Sequence, residues 1–158
     1  MSLITTARER LAILQRTRTV AIVGMSANPA RASHFVATYL AGASEWTIWY
    51  VNPGETEILG QKVYPSLADL PAAPDVVDTF RRTETLPAVA DEAIACGAET
   101  LWFQLGLRHD AAAERAASAG LDVVQNRCLK IEHARFAGGL HLAGFDTGVI
   151  DARRDRLV

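Results

Sequence analysis

The regular alternation of short apolar runs with longer segments of helical periodicity constrains the fold of this chain more than any other feature of its sequence. Thr19 to Val23 is a β-branched and apolar run that ends at Gly24. Similar runs occupy residues 46–51, 75–80, 100–104 and 122–125. Such runs are typical of strands that are buried on both faces of a sheet. Strands that alternate with helices predict right-handed crossovers and a mainly parallel sheet, covered by helices on both faces.

Segments of helical periodicity separate these runs. Apolar residues at helical spacing predict helices over residues 3–16, 33–42, 85–97, 110–120 and 127–136. Ser33, Thr85 and Asp110 have side chains that suit the N-cap of the helix that each begins, and Gly97 suits a helix C-terminus. The sequence therefore predicts a Rossmann-like, doubly wound α/β fold.

The length of 158 residues fits one domain. We expect residues 1–136, with the N-terminal helix 3–16 included, to form that domain. Residues 137–158 contain several glycines and a basic cluster at Arg153, Arg154 and Arg156, and this segment is predicted to be a loosely ordered C-terminal tail.

The composition argues against several classes of protein. A hydrophobic content of 49% with 22% charged residues is typical of a globular chain. The net charge of −2, without a basic stripe, gives no reason to expect nucleic acid as a partner, and no apolar run is long enough to cross a membrane. Cys96 and Cys128 are too few for a disulfide framework, so a cytoplasmic location is expected. The four histidines lack the spacing of metal ligands, so no metal is expected, and the oligomeric state stays open.

The loop after the first predicted strand has the composition of a phosphate-binding site. Ligands of parallel sheets bind at the carboxyl ends of the strands, where the strand order reverses. Gly24 allows a sharp turn and a close approach of the ligand to the backbone, while Arg31 offers a guanidinium fork for phosphate oxygens. The N-terminus of the following helix attracts anions through its free N–H groups and its dipole. The candidate residues here are Gly24, Met25, Ser26, Asn28, Arg31 and Ser33.

The end of the second strand bears on the identity of the nucleotide. NAD-binding domains place an acidic residue there for the ribose hydroxyls, whereas this chain has Asn52 and Pro53. A carboxylate would repel a phosphorylated ribose, but Asn52 would tolerate one. Only Gly24 of the three fingerprint glycines is present. The pattern favours coenzyme A or NADP, which both carry a phosphate on the adenosine ribose, over NAD.

Several segments, in the same order along the chain, carry a resemblance to a known family. They are residues 23–29, 51–53, 58–60, 63–67, 78–82, 101–106 and 127–133. On these segments the chain resembles the small stand-alone coenzyme A-binding proteins, which are relatives of the N-terminal domain of the succinyl-CoA synthetase alpha subunit.

The resemblance implies a place for each candidate residue around the ligand. The pyrophosphate would be faced by Gly24, Ser26, Asn28 and Arg31, the adenosine by Asn52 and Pro53, the next part of the ligand by Phe80 and Arg81, and the far part of the crevice by Gln104 and Gly106. The family often has a basic residue where this chain has Gly54. The contact to the 3′-phosphate therefore falls to Arg31, Lys62 or Arg81.

The predicted loops contain no nucleophile paired with a base and no paired carboxylates. We therefore expect a protein that binds coenzyme A or acyl-CoA without catalysing a reaction. One alternative is an NADP-dependent oxidoreductase or a nucleotide-responsive redox protein. Another is a thiol sensor in which Cys128, between Arg127 and Lys130, forms a mixed disulfide with coenzyme A. Burial of Cys128 as a small packed residue is the simpler interpretation.

Overall fold

A computed structural model of the chain describes residues 2–137. Except for Ala137, which is the last residue of a helix, the tail predicted over residues 137–158 lies outside this range. The helices are α1 (Ala7–Arg16), α2 (Ala32–Ala43), α3 (Leu86–Cys96), α4 (Asp110–Ser118) and α5 (Leu129–Ala137). The strands are β1 (Thr19–Val23), β2 (Thr47–Val51), β3 (Glu57–Ile58), β4 (Gln61–Tyr64), β5 (Val76–Thr79), β6 (Thr100–Phe103) and β7 (Asp122–Val124). Short 3₁₀ turns occupy Leu67–Asp69 and Thr83–Thr85.

The strands form one seven-stranded sheet in the order β3-β4-β2-β1-β5-β6-β7. All neighbouring pairs are parallel except β3 and β4, which form an antiparallel hairpin at one edge. The chain runs outward from β1 to β2 and β4, and then returns to the other side of β1 for β5, β6 and β7. This topology confirms the predicted Rossmann-like, doubly wound α/β fold.

The strand order reverses between β1 and β5, and this reversal opens a crevice at their carboxyl ends. The loop after β1 crosses towards α2 on one face of the sheet, while the loop after β5 turns towards α3 on the other. Backbone hydrogen bonds hold the two loops at their origins: the Gly24 N–H donates to Val51 O over 3.0 Å, and the Phe80 N–H donates to Val23 O over 2.8 Å. The crevice therefore has a rigid base.

Consecutive residues of the central strands pack into two separate hydrophobic cores. Val20 and Ile22 face the core that they share with α1, α2 and α5. Ala21 and Val23 face the opposite core, shared with α3 and α4. Burial on both faces explains why the strands are apolar runs without polar alternation. None of the helices within residues 2–137 is long and apolar enough to cross a membrane.

The first helix begins later than its predicted start at residue 3. Thr6 is the N-cap of α1 and forms a capping box with Glu9, so the helix starts at Ala7. The residues before it are extended along β7: the Ile4 N–H donates to Val123 O over 2.8 Å, and the Val123 N–H donates to Ser2 O over 2.9 Å. Pairing with the exposed edge of β7 outweighs the helical periodicity of these residues.

Two predicted N-caps are wrong. The N-cap of α2 is Arg31, not Ser33, which lies inside the first turn. The N-cap of α4 is His109, whose Nδ1 accepts a hydrogen bond from the Ala112 N–H over 3.1 Å, and Asp110 is the first helical residue. Thr85 does occupy the N-cap of α3, without a side-chain capping bond. Gly97 ends α3 with φ +81°, as its position predicted.

Candidate functional site

A cleft of about 1010 Å³ lies at the carboxyl ends of β1, β5 and β6. Its walls are the loops that follow these strands, together with the N-terminal turns of α2 and α5. The lining residues are Gly24, Ser26, Pro29, Ala30, Arg31, Ala32, Ser33, Phe35, Val36, Asn52, Phe80, Arg81, Arg82, Gln104, Leu105, Leu107, Cys128, Lys130 and Ile131. The cleft coincides with the point where the strand order reverses, which is the usual ligand position in open α/β sheets.

Gly24 stands where the backbones of the two central loops meet. Its φ is +85°, in the left-handed region that favours glycine. A Cβ added at this position would lie 2.1 Å from the carbonyl oxygen of Phe80. The loop after β1 can therefore turn over the end of β5 only because residue 24 has no side chain.

Three polar side chains of the first loop are used to hold the loop itself. Ser33 Oγ accepts a hydrogen bond from the Ser26 N–H over 3.0 Å, and Ser26 Oγ accepts one from the Asn28 N–H over 3.0 Å. Asn28 Oδ1 in turn accepts a hydrogen bond from the Ala30 N–H over 2.9 Å. These bonds brace the loop in the shape that forms one wall of the cleft.

The N-terminus of α2 faces the cleft without a side-chain cap. Arg31 makes no capping hydrogen bond, and Ser33 is turned back to Ser26. Ala32 and Ser33 both line the cleft. The first N–H groups of a helix have no partner within the helix, and they carry its positive partial charge. This end of the cleft is therefore suited to a phosphate group.

The charged side chains that line the cleft are all cationic. Arg31, Arg81, Arg82 and Lys130 line it, and no Asp or Glu among the described residues does. The three arginines form no ion pair with any residue in the described range. The Lys130 ammonium lies over the Phe35 ring, with its Nζ 5.1 Å from the ring centroid. The cleft therefore has an excess of positive charge that an anionic ligand would neutralise.

Asp78 is a buried acidic residue on the strand that leads to this cleft. The residue is on β5, two positions before Phe80, and its side chain is fully buried. Neither carboxyl oxygen has a hydrogen-bond partner among the described residues. Burial raises the pKa of this carboxyl well above its ordinary value. The uncharged form of Asp78 is therefore favoured over a wider range of pH than that of an exposed aspartate.

Asn52 joins the ends of β1 and β2. Its Nδ2 donates to Met25 O over 2.7 Å, while its Oδ1 accepts from the Gly54 N–H over 2.8 Å. Met25 itself is fully buried in the core and does not line the cleft. Both Nδ2 and Oδ1 are hydrogen-bonded, so Asn52 positions the first loop, and the residue also lines the cleft.

Gln104 occupies the floor of the cleft after β6. Only 5% of the residue is exposed, and its Oε1 accepts a hydrogen bond from the Leu129 N–H over 3.0 Å. This bond orients the amide and leaves Nε2 without a partner among the described residues. Next to it, the Gly106 N–H donates to Asn126 Oδ1 over 2.7 Å, which holds the β6 and β7 loops together.

The structure brings most of the predicted site residues to one cleft. Those that line it are Gly24, Ser26, Arg31, Ser33, Asn52, Phe80, Arg81 and Gln104. Those that do not line it are Met25, Asn28, Pro53 and Gly106. Asn28 and Gly106 instead stabilise the loops, and Met25 packs in the core.

Sequence reasoning missed the apolar wall of the cleft. This wall consists of Phe35, Leu105, Leu107 and Ile131. Two further cations that the sequence did not indicate, Arg82 and Lys130, also line the cleft. Leu105 and Leu107 are the residues with a detectable signal, because large apolar side chains in a loop after a strand are unusual. Lys62, a candidate for the 3′-phosphate, does not line the cleft, and its Nζ lies 4.9 Å from the centroid of the Tyr64 ring.

The arrangement provides binding groups and few reactive ones. Cys128 lines the cleft as a free thiol. No His, Asp or Glu within the described part of the chain lines the cleft beside it. Residues 2–137 also contain no cluster of three His, Cys, Asp or Glu side chains that could hold a metal ion.

Comparison with known proteins assigns the chain to a family. The family described as the CoA binding domain matches residues 18–134. The protein YneT of Bacillus subtilis is 38% identical over 122 residues, which make up 77% of this chain and 90% of that protein. The crystal structure of Prb, a PH1109 protein redesigned for binding, is 37% identical with a TM-score of 0.82, and the match covers 86% of this chain and 95% of that one. The chain belongs to the CoA-binding domain family.

A larger protein shares the fold. The dinucleotide-forming acetyl-coenzyme A synthetase 1 of Ca. Korarchaeum cryptofilum is 22% identical with a TM-score of 0.65. The match covers 72% of this chain and 27% of that one. At this level of identity the similarity shows a common Rossmann-like architecture.

Proposed function

We propose that this protein binds coenzyme A in the cleft at the β1–β5 reversal and catalyses no reaction there. The observation that carries the proposal is the group of three arginines (Arg31, Arg81 and Arg82), none of which forms an ion pair within residues 2–137, in the same cleft as the uncapped N-terminus of α2. Coenzyme A has a pyrophosphate and a 3′-phosphate, so it supplies negative charge at two places. Family membership agrees with this ligand.

The residues divide between the two phosphate groups by position. The pyrophosphate would lie against the first turn of α2 and the backbone at Gly24, where N–H groups and the helix dipole favour it. Arg31, Arg81 and Arg82 would neutralise the remaining charge, including the 3′-phosphate, by charge-assisted hydrogen bonds. The absence of lining acids in the described range removes a repulsive term.

We also place the protein in the cytoplasm, where both free cysteines would stay reduced.

Calorimetric titration with coenzyme A, 3′-dephospho-coenzyme A and NADP tests the proposal. We expect coenzyme A to bind, and removal of its 3′-phosphate to weaken binding. Arg81→Ala should weaken coenzyme A binding by about tenfold or more, because a hydrogen bond to a charged group contributes about 1.5–3 kcal/mol.

Arg108→Ala is the matched control. Arg108 is exposed, pairs with Asp110 over 3.1 Å and does not line the cleft. Its replacement should leave the affinity within about twofold, since exposed ion pairs contribute little. Binding of NADP without any response to coenzyme A would refute the proposal and favour an oxidoreductase. Equal losses in the Arg81 and Arg108 variants would show that the arginines act only through long-range charge.

A further inference from the structure

The cleft also has large apolar side chains in its lining, which offer no hydrogen bond to the phosphates of coenzyme A. Phe35, Leu105 and Ile131 line it, and they are 63%, 62% and 40% exposed. They are three of the five large apolar side chains in residues 2–137 that are exposed to solvent. Exposed apolar side chains that line one cleft indicate a binding site more strongly than apolar side chains scattered singly over the surface. We call these three side chains the apolar rim.

Leu105 of the apolar rim lies beyond the phosphate-binding loops along the direction of the sheet, whereas Phe35 lies on α2, one turn after Arg31. The loop after β1 carries Arg31, the loop after β5 carries Arg81, and the loop after β6 carries Leu105. Neighbouring strands are about 4.8 Å apart, so the end of β6 is about 10 Å from the end of β1. A ligand anchored by phosphates at β1 and β5 would therefore extend its other end towards Leu105.

Gln104 lines the cleft and directly precedes Leu105 in the chain. Its Oε1 accepts a hydrogen bond from the Leu129 N–H over 3.0 Å, which fixes the orientation of the amide and leaves Nε2 as the available donor. The residue is 5% exposed, and Nε2 has no hydrogen-bond partner in the part of the chain that the structure describes. An amide N–H group of a cleft-lining residue that has no protein partner in the described range can donate to a ligand carbonyl oxygen.

We propose that the ligand held in this cleft is an acyl thioester of coenzyme A with an apolar acyl chain, a statement that rests on the proposed function above. Gln104 Nε2 donates to the thioester carbonyl oxygen, which free coenzyme A lacks, and the acyl chain packs on the apolar rim. The lining residues of the described range include no His, Asp or Glu to act as a general base towards water. The thioester is therefore held without being hydrolysed.

A chain-length series tests the inference. Calorimetry would compare free coenzyme A, acetyl-CoA, hexanoyl-CoA and adipoyl-CoA, the last of which has the length of hexanoyl-CoA but ends in a carboxylate. Each fully buried methylene strengthens binding about fourfold. With the chain partly buried on an open rim, we expect hexanoyl-CoA to bind about tenfold or more tightly than acetyl-CoA. A gain with adipoyl-CoA equal to that with hexanoyl-CoA would show that charge, such as that of Lys130, holds the acyl end in place of apolar contact, and would overturn the proposal.

Two variants connect the gain to the named residues. Leu105→Ser should lower the ratio of hexanoyl-CoA to acetyl-CoA affinity below about threefold, because a hydroxyl replaces the isobutyl group on the rim. Leu59→Ser is the control, since Leu59 is 49% exposed but does not line the cleft, and it should leave the ratio unchanged. Gln104→Glu keeps an acceptor for the Leu129 N–H but removes the donor. It should lower the affinity for acetyl-CoA more than the affinity for free coenzyme A.

The outcomes separate this inference from the proposed function. If coenzyme A binds and the chain-length series is flat, the acyl proposal is overturned while the binding function stands. If coenzyme A itself does not bind, the proposed function fails. Sedimentation of the wild type and of Leu105→Ser supplies a further check. A dimer that dissociates on this substitution, together with a flat series, would assign the rim to a second copy of the chain and overturn the proposal.

Discussion

Replacement of Gly24 by alanine is the most direct test of how the cleft is built. Two effects add at this position. A non-glycine residue in the left-handed region costs about 1–2 kcal/mol, and φ is +85° here. The new Cβ would also lie 2.1 Å from Phe80 O, whereas real contacts of this kind do not fall below 3.0 Å. The loops after β1 and β5 must separate to relieve this overlap, and overpacking of this kind costs about 1–3 kcal/mol.

We therefore expect Gly24→Ala to lower the free energy of unfolding by about 2–5 kcal/mol. A domain of this size has a stability of about 5–15 kcal/mol, so the variant should still be folded and measurable. Urea denaturation, followed by circular dichroism at several probe wavelengths, would give the difference in unfolding free energy.

Gly120→Ala separates backbone strain from steric overlap. Gly120 has φ +105°, and no atom lies within 4 Å of a Cβ added there, so this variant carries the strain alone. The entropic gain from replacing glycine in the unfolded chain is common to both variants and cancels in the comparison. A Gly24→Ala cost within about 0.5 kcal/mol of the Gly120→Ala cost would refute the steric explanation, since overpacking alone should exceed it.

Three further predictions concern buried ionisable groups. Burial raises the pKa of Asp78, so the folded state keeps a proton that the unfolded state releases. The free energy of unfolding should therefore fall as pH rises from about 4 towards the raised pKa. Asp78→Asn should remove this contribution to the pH dependence in urea titrations at several pH values. Burial lowers the pKa of His133, so the free energy of unfolding should decrease as pH falls below about 6.5. Urea titrations at pH 7 and pH 5 would compare the wild type with His133→Gln, and an equal change of the urea midpoint in both proteins would contradict this. Glu132 pairs with Arg10 in the interior, and Glu132→Gln should cost about 3–5 kcal/mol because it leaves a buried guanidinium without its counter-charge. The exposed pair at Asp91 is the control, where Asp91→Asn should cost less than about 1 kcal/mol in the same assay.

The sequence was sufficient for those features that depend on local periodicity and on the parallel-sheet rules. Buried strands such as Thr19–Val23 are continuous apolar runs because both faces of the sheet are covered. Their alternation with helices predicted the strand reversal, and the reversal predicted which loops would meet. The family resemblance is confirmed, whereas the roles of the individual site residues stay predictions.

The sequence was insufficient where a polar side chain could choose between a local and a distant partner. Ser33 is a residue type that is common at N-caps, yet its hydroxyl oxygen accepts a hydrogen bond from the Ser26 N–H. Asn28 is a residue type that could donate to a phosphate, yet its Oδ1 accepts a hydrogen bond from the Ala30 N–H. Short polar side chains can satisfy several backbone groups equally well, and the path of the whole loop decides among them.

The sequence by itself determined the fold class and the family, and it predicted the edge of the sheet at which a ligand would lie, because these follow from the order and spacing of segments along the chain. Only the tertiary structure decided the character of the cleft. Arg31, Arg82 and Lys130 come from three separate segments, and their positive charge accumulates because the loops converge while lining acids are absent from the described range. Phe35 and Leu105 likewise become one apolar rim only when α2 and the β6 loop are brought to the same crevice. Charge and apolar surface act through space, and the distances that matter are set by the packed sheet.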